Sequence, residues 1–109
     1  MVEQMLAQLV LDHPQVAPFL HTEIPANLPL RVAPSPDLAQ GAASLRVAGQ
    51  AARVVTVSEA RVVFKGRERL GPVRERIRFE IPAEGVVGHV DLELTDNVWH
   101  AIDGSVAER

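Results

Sequence analysis

Hydrophobic positions near the start of the chain recur with a helical period. Val2, Met5, Leu6, Leu9 and Val10 fall at i, i+3, i+4, i+7 and i+8, while Glu3, Gln4, Gln8 and Asp12 face the other way. This spacing predicts a helix over 1–12, ended by Pro14. The next pattern is set by proline. Positions 14, 18, 25, 29, 34 and 36 are all proline, and each removes a backbone donor and fixes φ. Neither a long helix nor a central strand fits 13–43. Phe19, Leu20, Ile24, Leu28, Leu30 and Val32 are interleaved with the prolines, more apolar surface than a free linker carries. The expectation is an extended segment lying on the domain, with an edge strand near Leu28–Ala33.

From residue 44 to 104 the pattern becomes that of an antiparallel sheet. The strand candidates are Ser44–Ala48, Ala52–Val57, Arg61–Lys65, Val73–Ile81, Val86–Leu94 and Val98–Ile102. Gly66 and Gly71-Pro72 are read as breaks, Pro82-Ala83-Glu84-Gly85 as a type I turn, and Asp96-Asn97 as a tight hairpin. Alternation is clearest in two strands. Ile77, Phe79 and Ile81 point one way, opposite to Arg76, Arg78 and Glu80. Val86, Gly88, Val90, Leu92 and Leu94 point inward, with Val87, His89, Asp91 and Glu93 outward. One sheet face is thus buried and one polar. The phase around Trp99 and His100 is left open. The predicted fold is α+β: an N-terminal helix packed on a five- to six-stranded antiparallel sheet, with a proline-rich extended segment. A helix followed by a curved antiparallel sheet is a pattern similar to that of cystatin-like and nuclear-transport-factor-like domains. It carries no residue across, and implies only that such a sheet can cup a ligand or pair two copies.

Composition adds bounds. At 109 residues the chain is read as a single domain, 1–109, with a core of Val, Leu, Ile and Ala, since only Phe19, Phe64, Phe79 and Trp99 are aromatic. Two tetrapeptides, Leu-Arg-Val-Ala and Ala-Arg-Val-Val, each occur twice, too few for a repeat array. There is no cysteine, so no disulfide framework, thiolate metal site or thiol nucleophile. The start lacks a basic region and the apolar runs are short, so a cytoplasmic protein without a membrane partner is expected.

Charge changes the picture most. Seven basic residues (Arg61, Lys65, Arg67, Arg69, Arg74, Arg76, Arg78) stand against Glu68 and Glu75 between 61 and 78, a net +5. Between 79 and 108 there are seven acidic residues and no Lys or Arg. The whole chain carries −3, which argues against general nucleic-acid binding. No aromatic residue lies within 65–78 to stack on a base.

Lys65, Arg67, Arg69, Arg74, Arg76 and Arg78 are the candidate binding residues, because guanidinium forks suit carboxylate and phosphate oxygens. Asp91, Glu93 and Asp96 form the candidate acidic face. His89, Asp91 and Glu93 share one strand face, yet the outer two lie about 13 Å apart at ~3.3 Å per residue, too far for one metal ion. No metal or cofactor is expected. His100 with Asp103, or His89 with Asp91, could act as base and orienting carboxylate, but no nucleophile elbow, phosphate loop or dinucleotide motif accompanies them. The expectation is a non-enzymatic interaction module that self-associates as a homodimer through its sheet or its N-terminal segment. Arg74, Arg76 and Arg78 of one copy would meet Asp91, Glu93 or Asp96 of the other. The alternatives are nucleic-acid or other polyanion binding through the basic hairpin, and a small-ligand cup or small enzyme.

Overall fold

The computed structural model describes residues 2–108. One α-helix, α1 (Val2–Asp12), opens the chain. Leu6, Ala7, Val10 and Leu11 are buried in the same cluster as Ile77, Phe79, Ile81, Val86, Val90 and Leu92 of the sheet. The expected places of Val2, Glu3, Gln4 and Met5 lie outside the described side chains. Gln8 binds the backbone of Arg46 twice, donating to its carbonyl at 2.8 Å and accepting its N–H at 2.9 Å. Its outward position on α1 is therefore a tie to the chain beyond the proline-rich stretch.

The strands are β1 (Arg31–Ala33), β2 (Arg46–Val47), β3 (Gln50–Ala51), β4 (Arg53–Val54), β5 (Val62–Gly71), β6 (Arg74–Ile81), β7 (Val86–Thr95) and β8 (Val98–Glu108). Six form one sheet in the order β4-β1-β5-β6-β7-β8, and β2 and β3 form a separate hairpin. The large sheet is mostly antiparallel but mixed: β1 runs parallel to both β4 and β5. That corrects the all-antiparallel expectation. β1 is joined to β4 and β5 by long segments rather than tight turns, and parallel pairing needs such a crossover.

β1 is also not an edge strand. Pro29 and Pro34 flank Arg31–Ala33 without entering it, so the three residues keep their donors and acceptors. Accordingly Arg53 N–H donates to the Leu30 carbonyl (2.7 Å), Val55 N–H to Val32 (2.9 Å) and Arg61 N–H to Arg31 (3.0 Å). Around β1 the chain from 13 to 43 is not simply extended. It forms short 3-10 turns at Ala17–Leu20, Pro25–Asn27 and Pro36–Leu38, each with proline in its first two positions. A missing N–H costs nothing there, and a fixed φ favours the turn.

Other strands differ in extent. The candidate over Ser44–Ala48 shrinks to β2, and that over Ala52–Val57 to β4. Gly66 does not break the chain: β5 runs through it, with a register shift between Phe64 and Gly66. Gly66 takes φ 141, which only glycine adopts without strain. The last strand continues past 104 to Glu108.

The alternation of β6 and β7 is as the pattern implies: Ile77, Phe79, Ile81, Val86, Val90 and Leu92 are all buried. Asp96 and Asn97 both take positive φ (53 and 65) and close the β7–β8 hairpin with Thr95 opposite Val98. Trp99, opposite Leu94, packs against the core, and His100, opposite Glu93, is exposed. No helix among the described residues is long and apolar enough to cross a membrane.

Candidate functional site

Register decides where the charged side chains go. Residues directly opposite across an antiparallel pair share a face. Arg74 is opposite Glu93, Arg76 opposite Asp91, and Arg78 opposite His89. On the other side of β6, Glu68 is opposite Arg76 and Gly66 opposite Arg78. These side chains all lie on the face turned away from the core. Arg67 is opposite Ile77, and Arg69 opposite Glu75, so both belong to the core side, beyond its buried end. The extra residue at Lys65–Gly66 produces this split, because a shift of one residue turns every later side chain over.

Each arginine of the outer face has a carboxylate of its own chain. Arg74 Nε donates to Glu93 at 2.8 Å. Arg76 holds Asp91 with two parallel bonds of 2.7 and 3.0 Å. Arg78 Nη2 donates to Glu68 at 2.7 Å. Lys65 reaches Glu80 at 3.3 Å. On the core side, Arg67 forks onto Glu75, its Nε bond 3.1 Å long. Arg69 donates to the carbonyls of Gly71 (3.2 Å) and Pro72 (3.3 Å), bracing the β5–β6 turn. Asp96 sits in the β7–β8 turn, away from this ladder. Asp91 is the most enclosed of these carboxylates, at 8% residue exposure. The hydrogen bonds from Arg76 hold its pKa below the usual carboxylate range, and Asp91 in turn raises that of Arg76.

The candidate base–carboxylate pairs are not assembled. The bulge in β8 puts His100, opposite Glu93, and Asp103, opposite Asp91, on the same face, but no hydrogen bond joins them, and none joins His89 to Asp91. Among the described residues, no group of three or more His, Asp and Glu is placed to hold a metal ion.

A second charged cluster, not anticipated from the sequence, ties the proline-rich segment to the β6–β7 turn. Arg61 is nearly buried (8% exposed) and donates to the carbonyls of Leu20 and Phe19, each at 3.3 Å. It also donates to Glu84 at 3.2 Å. Glu84 then meets His21 Nε2 at 3.1 Å, and His21 Nδ1 meets Glu23 at 3.2 Å. The bonds to Glu23 and Glu84 raise the His21 pKa, and that to His21 lowers Glu84. Glu23 is lowered first by its own backbone N–H and then by His21. In a separate cluster, Asp37 accepts the Ser35 hydroxyl and, at 3.0 Å, the Arg67 N–H freed by the Gly66 bulge. The only local signals for these clusters are the i, i+2 spacings of His21 with Glu23 and of Ser35 with Asp37. Glu84 and Arg67 are too distant in sequence to be linked without the fold.

Comparison with family models, with curated proteins and with solved structures finds no match for this chain. Its function therefore has to be argued from the geometry alone.

Proposed function

We propose that this chain is a small non-enzymatic interaction module, working in the cytoplasm, that self-associates through the open edge of its sheet. In this reading α1 lies on one sheet face and the proline-rich segment wraps one side. The shared core cluster and the bonds of Arg61 support that arrangement. The observation that carries the proposal is β8. It is 11 residues long and, among the described residues, stands at the end of the strand order with β7 as its one neighbouring strand.

Natural sheets blunt such edges with short strands, proline, lysine or bulges. β8 carries one bulge, between the partners of Asp91 and Leu92, but it has no Pro, Lys or Arg, and Val98 and Ile102 are 45% and 44% exposed. Every second residue of an edge strand turns its N–H and C=O outward. A second copy supplies the same strand, and antiparallel pairing of two identical strands satisfies two-fold symmetry without further fitting. The salt-bridge version of the dimer is less favoured, because Arg74, Arg76 and Arg78 already have carboxylate partners within the chain. Polyanion binding is weaker for the same reason, and because Arg67 and Arg69 lie on the opposite side from the other three.

The test is sedimentation velocity of the wild type and of the double variant Val98→Lys, Ile102→Lys. Both side chains are solvent-exposed, so the substitutions leave the fold intact by circular dichroism. The wild type is expected to sediment as a dimer and the variant as a monomer. A wild-type monomer, or a variant that dimerises equally well, would reject the β8 contact.

A further inference from the structure

The open edge of β8 is not uniform along its length. Leu94 N–H donates to the Val73 carbonyl at 2.8 Å, so Leu94 turns its backbone groups toward β6. The β6–β7 register has no shift, and strand backbone groups alternate sides, so Asp91 turns its own toward β8. Asp103 is opposite Asp91 and faces β7 in return. Its neighbour Gly104 therefore points its N–H at the open edge, where a second strand would dock. That donor is already taken: Gly104 N–H donates to the Asp103 carboxylate at 2.8 Å. Directly after the bulge, the Asp103 side chain thus caps a backbone group of the edge.

The same carboxylate lacks a counter-charge. Its cross-strand row runs Glu68, Arg76, Asp91, Asp103, three carboxylates to one guanidinium. Arg76 is committed to Asp91 through two bonds, and among the described residues Asp103 has no ion pair. Like charges directly opposite across a sheet disfavour each other. A second β8 does not relieve this. Residues 79–108 contain no Lys or Arg, so a docking copy brings no cation and adds its own Asp103. A charged side chain on an edge strand is one of the devices by which sheets resist pairing.

We propose that Asp103 is an intramolecular brake on pairing through β8, an autoinhibitory contact that keeps the association reversible. The inference rests on the self-association reading above. Pairing exchanges the Asp103–Gly104 bond for one to the partner strand, once in each copy, and brings two carboxylates without counter-charge to one interface. Alanine at 103 removes both the cap and the charge, and is expected to tighten the dimer about tenfold. Asparagine keeps an acceptor oxygen and removes only the charge, and is expected to tighten it about threefold.

The experiment is sedimentation velocity over a dilution series of the wild type, Asp103→Asn and Asp103→Ala. Asp103 is exposed, so both variants keep the fold by circular dichroism. The expected order of dimer affinity is alanine, then asparagine, then wild type. A wild-type dimer that neither variant tightens would overturn the brake and leave self-association standing. Monomers throughout, at every concentration, would overturn both. A second measurement reads the cap without the dimer. In the Val98→Lys, Ile102→Lys background, amide exchange at Gly104 is expected to be faster once Asp103→Ala is added. An unchanged rate there would overturn the cap, and the brake with it.

Discussion

Gly88→Ala tests how closely β7 approaches the strands on either side of it. Gly88 is opposite Phe79 on β6 and Val106 on β7's other neighbour, β8. A Cβ on Gly88 would lie 2.5 Å from the Ser105 carbonyl oxygen and 2.8 Å from Phe79 Cζ. The first contact is with backbone and the second with a ring that is 1% exposed, so neither yields without moving the strand or the core. Overpacking of this kind costs about 1–3 kcal/mol. At about 4 °C per kcal/mol for a domain of this size, Tm is expected to fall by about 4–12 °C. Gly71→Ala is the control. A Cβ there meets nothing within 4 Å and its φ is not in the left-handed region, so a Tm within about 2 °C of wild type, or slightly higher, is expected. Thermal unfolding by circular dichroism reads both. A Gly88→Ala protein as stable as the Gly71→Ala control would refute the close approach, and with it this account of the sheet.

The remaining predictions concern the ties between segments. The His21 pKa is raised, so its contribution is fully present below its unfolded value of about 6.5 and is lost as pH rises through the folded value. Glu84 and Glu23 are lowered, so theirs is present above about 4.5 and is lost as pH falls through their folded values. The Tm difference between wild type and His21→Ala is therefore expected to be larger at pH 5.5 than at pH 8.5, and equal differences would contradict the network. Asp37→Ala removes acceptors for the Ser35 hydroxyl and the Arg67 N–H, and is expected to cost about 1 kcal/mol with faster hydrogen exchange at Arg67. Leu6→Ala leaves a hole between α1 and the sheet and is expected to cost about 2–5 kcal/mol in denaturant unfolding; a cost below about 1 kcal/mol would detach the helix from the core.

The parts of this fold legible in the sequence are those set by neighbours in the chain. The helix follows from a 3.6-residue period over one short window, and the faces of β6 and β7 from strict alternation. The last hairpin follows from two residues that tolerate positive φ. What could not be read depends on partners distant in sequence. β1 is three residues between prolines, and its parallel neighbours are visible only once the segments up to 53 and 62 have folded back.

The candidate site shows the same limit. That the basic and acidic residues would lie close was legible. Which arginine takes which carboxylate, and on which face, depends on the bulge at Lys65–Gly66. A single extra residue there sends Arg67 and Arg69 to one side and Arg74, Arg76 and Arg78 to the other. The length of β8, which now carries the functional proposal, was missed because Gly104 interrupts its pattern. A Cβ on Gly104 would come within 2.6 Å of the His13 ring, which would have to shift to admit it.

Multi-angle light scattering of the wild-type protein at low and at high salt tests the central claim most directly. Pairing through β8 rests on backbone hydrogen bonds and apolar side chains, so the account predicts twice the monomer mass at both salts. A monomer at both would contradict self-association. A dimer that dissociates in salt would contradict the β8 edge as its seat and return the interface to the charge ladder.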